Sequence, residues 1–236
     1  MSLFYELLSN PDRGVALERF LDQWHGIRLA APQDGVYSGL PPLLEDVLDA
    51  AERHPRLCGQ NHLYTPYEEG HGLLVFASER EGAFEWGCQP AFGDDDPPMW
   101  GRWLLDRPGA EAGWLPEPER LSGFLLQFLL FETIMGAPWW VQYPAARPAL
   151  VRMALGPLRR VLGTWRWPGP DASFHAADDT LAFTCGNPYV GDGTVDVTLA
   201  AREAGALEHL AGVAADGWLV RGPGGSPGPA GTLPGW

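Results

Sequence analysis

The side chains best suited to metal chemistry are His54, Cys58, His62 and His71, which lie close together in the sequence. Histidine nitrogen and cysteine sulfur are ligands that zinc prefers in proteins. The first three have the spacing of one helical face, but Pro55 would break such a helix. The sequence therefore favours a buried Cys58 thiol with surface histidines over a zinc site.

A serine nucleophile is suggested only by residues 224–228, whose sequence GGSPG matches the G-x-S-x-G pattern of hydrolases. In that pattern the serine stands on a turn between a strand and a helix. The prolines and glycines around Ser226 permit neither element. Patterns that bind phosphate, G-x-G-x-x-G and G-K-[ST], do not occur. Hydrolase and nucleotide-binding functions are therefore not supported.

Carboxylates are so frequent in this sequence that some groups of them resemble metal-binding or catalytic sites by chance. The aspartates at residues 94–96 offer oxygen ligands for a hard cation, but they lack the calcium-loop pattern. The pairs Glu79 with Glu81 and Glu117 with Glu119 have the residue types of a glycosidase, although spacing in sequence does not set distance in space. A solvated surface is the simpler interpretation. We therefore predict no catalytic residue, no metal and no cofactor.

The chain is strongly acidic, with 30 acidic and 16 basic residues and a formal net charge of −14. Every basic residue is an arginine. A protein that binds nucleic acid needs a basic face to neutralise phosphate, so this composition argues against nucleic acid as a ligand. Two interpretations remain open: the acidity keeps the protein soluble, or it matches a basic protein partner.

The cysteine content and the apolar runs suggest a cytoplasmic protein without a membrane segment. The three cysteines are odd in number and form no C-x-x-C pair, which argues against a disulfide framework. Residues 1–10 lack the basic start of a secretory signal. The longest apolar run, residues 121–135, is shorter than the ~20 residues that a membrane-spanning helix needs.

Hydrophobic spacing predicts helices and strands that alternate without a regular βαβ order. Two short helices over residues 3–24 precede an amphipathic helix after Pro41. Residues 73–78 and 83–88 form a hairpin, and residues 99–104 a further strand. The predicted elements that follow are a core helix at 121–135, a helix at 149–162 broken at 156–157, strands near 164–167, 173–175, 180–185 and 195–199, a short helix at 203–213 and a strand at 218–220.

This order predicts an α+β fold with a mixed, largely antiparallel sheet and helices packed against it. We find no internal repeat and no early linker, so residues 1–221 are predicted to form one domain. Residues 222–236 are rich in proline and glycine and offer little apolar surface to bury. They are predicted to form a flexible tail.

Tryptophans and acidic residues are concentrated together between residues 79 and 103. Buried tryptophans explain most of such an enrichment, whereas an exposed aromatic patch with an acidic rim is typical of binding hot spots. On the second interpretation the acidic rim steers a partner and a tryptophan anchors it. The candidate partner-binding residues are Glu79, Glu81, Glu85, Asp94, Asp95, Asp96, Trp100 and Trp103.

The order of motifs resembles a known superfamily. Residues 74–87, LVFASEREGAFEWG, resemble its F-x-x-E-x-x-G-x-x-x-W hairpin, and residues 96–100, DPPMW, resemble the D-P-P-V segment that follows. Residues 121–132 resemble its L-S-x-F-L helix, and residues 40–44 its L-P-x-x-L helix. Residues 195–218 resemble its closing strand, helix and tryptophan. The family is the SUKH superfamily, and the likeness spans roughly residues 40 to 218.

The resemblance implies a single α+β domain that has no catalytic residues or cofactor and binds a protein. The SUKH group includes fungal regulators of cell-wall synthesis and bacterial immunity proteins that neutralise toxins, often nucleases. We therefore expect a protein that neutralises a toxin by direct binding. The alternatives are an intracellular adaptor on the same fold, or an enzyme revealed by polar side chains of shifted pKa that converge in one pocket.

Overall fold

The computed structural model describes residues 3–29, 39–70, 72–90, 93–104, 113–165, 167, 171–186, 193–210, 213, 217–225 and 228–229. The chain divides into two compact units. The first unit comprises residues 10–132, and the second comprises residues 1–9 with 133–236. A division into compact units does not test whether either one folds by itself. One domain over residues 1–221 therefore stays a prediction.

The described helices follow the predicted order. They are α1 (Leu3–Leu8), α2 (Arg13–Phe20), α3 (Pro42–Arg53), α4 (Leu121–Gly136) and α5 (Pro148–Ala154). A π-helical turn, Leu21–His25, extends α2, and 3-10 turns occupy Pro55–Leu57 and Ala204–Leu210. Asp12 begins α2 by accepting a hydrogen bond from the Val15 N–H, as an N-cap residue does.

The first unit contains a five-stranded antiparallel sheet with the strands in sequence order. Its strands are β1 (Asn61–Glu69), β2 (Leu73–Glu79), β3 (Phe84–Cys88), β4 (Pro98–Trp103) and β5 (Leu115–Arg120). The β2–β3 hairpin confirms the predicted one. Its turn uses Gly82 at a φ of +69°, a conformation that glycine adopts without strain.

Helix α4 is the core helix that the sequence predicts. Every residue from 121 to 134 is buried. Phe124 and Phe128 pack against the Trp86 ring, with centroids 5.7 and 6.0 Å away, and Phe76 meets Phe124 edge-on at 5.9 Å. No described helix is long and apolar enough to cross a membrane.

The second unit contains a seven-stranded sheet in the order β12-β11-β6-β10-β9-β8-β7, with antiparallel neighbours throughout. Its strands are β6 (Trp139–Ala146), β7 (Arg159–Trp165), β8 (Ala172–Ala176), β9 (Thr180–Gly186), β10 (Val195–Ala201), β11 (Leu219–Arg221) and β12 (Gly228–Pro229). Val141, Leu199 and Trp218 belong to its buried core. The α+β class is confirmed, with two antiparallel sheets in place of the single mixed sheet expected.

The prediction of a helix over residues 149–162 is wrong for the second half of that range. The helix α5 ends at Ala154, and residues 159–162 lie in β7. Gly156 and Pro157 end the helix completely, because proline cannot continue the hydrogen-bonded ladder. The chain then pairs with β8 from Arg159 onwards.

Part of the predicted tail has regular structure. Gly228 and Pro229 form β12, which pairs with Val220 and Leu219 of β11. Residues 226–227 and 230–236 lie outside the described residues. The flexibility of the tail therefore stays a prediction.

Candidate protein-binding face

One row of residues crosses the outer face of the first sheet. The strand register places Tyr67 beside Val75, Val75 beside Gly87, and Gly87 beside Trp100. Directly paired residues of neighbouring strands point to the same face. These four residues therefore share one face of the sheet, although they come from four different strands.

The opposite face of this sheet is the inner one. Phe84 and Trp86 of β3 point inwards, because both are buried and Trp86 meets helix α4. The Phe84 ring covers Gly101 so closely that a Cβ there would lie 2.6 Å from a ring carbon. Side chains alternate along a strand, so Glu85 and Arg102 must point outwards.

An arginine lies at the centre of the outer face. Arg102 donates from Nη1 to Glu69 Oε1 and from Nη2 to Glu85 Oε2, both at 2.7 Å. Its guanidinium also lies 4.5 Å from the centroid of the Trp114 ring, which is a cation–π contact. Burial works to lower the pKa of Arg102, but hydrogen bonds and charges from Glu85 and Glu69 raise it. Arg102 is thus held charged.

Two tyrosines extend this arrangement towards the edge of the sheet. The Tyr67 hydroxyl donates to Glu85 Oε1 at 3.3 Å, and the Tyr64 and Tyr67 rings stack with centroids 6.1 Å apart. Burial and the nearby Glu85 charge raise the pKa of both hydroxyls. Tyr67 nevertheless remains 44% exposed, which makes it one of the most exposed large apolar side chains. We call Tyr64, Tyr67, Glu69, Glu85, Trp100 and Arg102 the outer-face cluster.

The outer-face cluster has unused hydrogen-bonding capacity. Glu69 Oε2 and Trp100 Nε1 are buried atoms for which the described residues supply no hydrogen-bond partner. Buried polar atoms are usually paired, so these two depart from the usual pattern. Both have almost no accessible surface, so a partner could reach them only after the surrounding side chains move.

Among the candidate glutamates of the hairpin, Glu79, Glu81 and Glu85, only Glu81 has the exposed position expected of an acidic rim. The Glu79 carboxylate folds back over the turn and accepts from the N–H groups of Glu81 and Ala83 at 2.8 and 3.2 Å. Glu85 is paired with Arg102, as described above. Glu81 itself is exposed.

The aspartates at 94–96 divide in the same way. Asp96 accepts from the N–H and the hydroxyl of Ser122 at 2.7 and 3.0 Å, so it caps the start of α4. Asp94 accepts from the Asp96 N–H at 3.2 Å and forms an ion pair with Arg120 at 2.8 Å. Asp95 is exposed. Asp96 therefore fixes the segment to the start of α4, and Asp94 fixes it to the end of β5.

The different roles of these aspartates lead to a prediction about stability. Asp96→Ala is expected to lower the free energy of unfolding by about 1 kcal/mol, because it removes the helix cap. Asp95→Ala is the matched control and should change it by less than about 0.5 kcal/mol. Urea denaturation of both variants measures the difference, and equal midpoints would contradict a capping role for Asp96.

The two predicted tryptophans lie on opposite faces. Trp100 is half-buried in the outer row. Trp103 pairs with Phe84 in the register and meets its ring edge-on at 4.8 Å, so it belongs to the inner face. Trp100 thus has the position expected of an anchor, and Trp103 that of a packing residue.

Four residues of the outer-face cluster were not predicted from the sequence: Tyr64, Tyr67, Glu69 and Arg102. Opposite charges at Glu85 and Arg102, which face each other in the register, were a usable signal once β3 and β4 had been aligned. The residues of β1 gave no such signal, because no strand was predicted there. The structure thus brings together Glu85 and Trp100 from the predicted set, with four residues that were not predicted.

A second group of ionisable residues lies behind β1. The Glu132 carboxylate is buried and accepts from the N–H groups of Gly59 and Gln60 at 2.6 and 2.7 Å. Burial raises the pKa of Glu132 to about 7, against the opposing effect of these bonds and of Asn61. Burial and the Glu132 charge raise the pKa of the Cys58 thiol to about 12. Such a thiol is not activated as a nucleophile, because the thiolate is the reactive form.

A polar cluster in the second unit also contains a histidine. Ser173 Oγ lies 3.3 Å from His175 Nε2 and 2.9 Å from Thr184 Oγ1. Burial and then the charge of Arg160 lower the pKa of His175 to about 4, so the imidazole is neutral. Within the described part of the chain, no three His, Cys, Asp or Glu residues are grouped so that they could hold a metal ion.

Comparisons with known proteins do not assign a family to the chain. No protein-family model matches it, and neither the curated proteins nor the solved structures yield a match.

Proposed function

We propose that this chain is a non-catalytic protein-binding domain that holds a basic protein partner on the outer face of its first sheet. The outer-face cluster is the observation that carries the proposal. It combines a half-exposed tyrosine with a half-buried tryptophan, and two carboxylates lie beside them. Aromatic side chains of this kind dominate the binding energy of protein interfaces.

The charge distribution supports a basic partner for this unit. Residues 10–132 contain 21 acidic and 9 basic residues, a net charge of −12, whereas the rest of the chain contains 9 and 7. Nearly all of the excess negative charge is therefore in the unit that contains the outer-face cluster. Complementary charge of this size accelerates the encounter with a basic protein.

Neutralisation of a basic toxin is the role we propose for this binding, as in the immunity proteins that the motif order resembles. A toxin that acts inside the cell requires a cytoplasmic inhibitor. The three free cysteines support that compartment, since two are buried thiols and none forms a disulfide. An adaptor that binds a resident protein through the same face is the alternative.

Identification of the partner tests these roles. The tagged full-length chain is used for affinity capture from the organism that encodes it, and bound proteins are identified by mass spectrometry. A basic toxin domain encoded beside the chain supports the immunity role. A resident housekeeping protein supports the adaptor role. Capture of acidic proteins alone would contradict both.

Kinetics with the captured partner test the binding face. Tyr67→Ala is expected to speed dissociation about 30-fold, the equivalent of ~2 kcal/mol for an aromatic hot spot. Tyr67→Phe is the matched variant that keeps the ring and loses only the hydroxyl, and its effect should be much smaller. Equal dissociation rates for Tyr67→Ala and the parent would exclude Tyr67 as an anchor.

The same partner tests electrostatic steering. The combined change Glu68→Gln, Glu81→Gln and Asp95→Asn removes three exposed carboxylates of the first unit. It should slow association several-fold at low salt, and the difference should vanish near 0.5 M salt. The charge-matched control neutralises three exposed acids of the second unit, Asp178, Glu203 and Glu208. Identical association rates for the two triple variants would contradict steering towards the first unit.

A further inference from the structure

A groove lies between helix α3 and strand β1. It has a volume of about 410 Å³. Leu48, Ala51 and Glu52 line the α3 side, residues 62–65 line the β1 side, and Cys58 lies between them. The groove therefore has a helix for one wall and a strand for the other.

The strand that lines this groove is an edge strand. β1 stands at the end of the five-stranded sheet and pairs with β2 on one side only. Within the described residues, no other strand pairs with it. An unpaired edge is a template for an added chain, because its N–H and C=O groups alternate along it.

Pro66 limits the part of β1 that can pair. Proline has no N–H to donate, and the register of β1 also shifts between Leu63 and Tyr67. Pairing is therefore favoured before the proline. Residues 62–65 of this stretch line the groove, whereas Asn61 is completely buried. The strand edge and the cavity beside it thus form one surface four residues long.

We propose that an extended, cationic segment of a partner protein inserts into this groove and pairs with β1 as a sixth strand. Alternate side chains of a strand point to opposite faces, so every second residue of the segment would enter the groove. There it would meet apolar Leu48 and Ala51 as well as the Glu52 carboxylate.

The charge around the groove selects the occupant. Glu52 is the α3 carboxylate that lines the groove, and the first unit as a whole has a net charge of −12. This excess of negative charge favours lysine and arginine in the added segment. A second copy of the chain is disfavoured, because two units of net charge −12 would repel each other. Tyr64 belongs to both the groove and the outer-face cluster, so variants of both sites are needed to tell them apart.

A displayed library of random, unconstrained twelve-residue peptides is the probe for this groove. Selection on the full chain is expected to enrich peptides in which arginine or lysine occurs among alternating apolar residues and proline is rare. Affinity of the best synthetic peptide is then measured by fluorescence polarisation. Failure to enrich any peptide, or enrichment of acidic ones, would overturn the proposal.

Groove variants then locate the binding site. Ala51→Trp fills the groove from the α3 wall and is expected to weaken peptide binding about tenfold or more. Ala51→Ser is the matched control and should bind within about twofold of the parent. Melting curves of both variants confirm that they are folded. Unchanged binding by a folded Ala51→Trp variant would place the peptide elsewhere and refute the proposal.

Hydrogen exchange gives an independent measurement. The bound peptide should slow exchange of amides within residues 61–65, and it should leave those of β3 unchanged. The Tyr67→Ala variant separates this inference from the proposed function, because it removes the outer-face anchor without filling the groove. Loss of peptide binding in Tyr67→Ala but not in Ala51→Trp would assign the peptide to the outer face. A peptide-free dimer that Ala51→Trp dissociates would identify a second copy as the occupant and overturn the cationic segment.

Discussion

Replacing Phe128 by alanine is expected to lower the free energy of unfolding by about 3–5 kcal/mol, as for other fully buried phenylalanines. Phe128 is completely buried, and its ring meets Trp86 edge-on and lies 5.9 Å from the Phe124 ring. Alanine would remove these aromatic contacts and leave a cavity between α4 and the first sheet. Urea denaturation followed by tryptophan fluorescence measures the loss.

Phe128→Leu is the matched control for this change. Leucine keeps most of the apolar volume, so its cost should be well below that of alanine. An unfolding midpoint of Phe128→Ala equal to that of the parent would show that this side of α4 is not packed. The architecture of the first unit would then be wrong.

The elements that could be predicted from the sequence are those whose own residues determine whether they form and whether they are buried. Helix α4 has apolar residues around most of its circumference, so burial follows from composition. The β2–β3 hairpin has two apolar runs separated by a turn that contains Gly82. Both predictions are confirmed, with bounds that differ by at most one residue.

The strands that were missed depend on distant partners. β1 is a polar edge strand interrupted by Pro66, and its exposed residues show no clear alternation. β6 contains Pro144, which argues locally against a strand, yet β10 and β11 pair with it on either side. Register shifts in the β6–β10 pairing accommodate the irregularity. Such pairing is a tertiary effect that a local pattern does not contain.

The contacts of the candidate binding face also join residues that are distant in the sequence. Its central ion pair joins Arg102 to Glu69, 33 residues earlier, and the Asp96 cap reaches Ser122, 26 residues later. The concentration of acids and tryptophans here is visible in the sequence. Which of the acids form contacts within the fold is not, because that depends on the register between strands.

The buried Glu132 should make stability depend on pH in an unusual direction. Its pKa is raised by burial from an ordinary value of 4.5 to about 7. Between these two values the folded chain binds a proton that the unfolded chain has released. Stability is therefore expected to fall as pH rises from about 4.5 to 7, by on the order of 3 kcal/mol from this residue, and to stay level above it.

The buried Glu132 carboxylate has a structural role, in spite of the stability that its burial costs at higher pH. Glu132 accepts from two successive backbone N–H groups, Gly59 and Gln60, and so fixes the segment that leads into β1. Arg80 supports the same segment by donating to the Gly59 carbonyl at 3.2 Å. Cys58 is the other ionisable side chain beside the carboxylate, and with a pKa of about 12 it stays protonated over this pH range.

Glu132→Gln is expected to remove this dependence on pH. The glutamine Oε1 can accept the two N–H bonds that the carboxylate accepts in the parent chain. The free energy of unfolding of the variant relative to the parent should rise by about 3 kcal/mol from pH 4.5 to pH 8. Urea denaturation of both proteins in the same buffers measures this difference, in which the titration of all other groups cancels.

Glu68→Gln, which removes an exposed carboxyl of β1, controls for the loss of one negative charge and should give no comparable rise. A difference that stays constant with pH would mean that Glu132 is ionised normally in the folded chain and that its site is open to water.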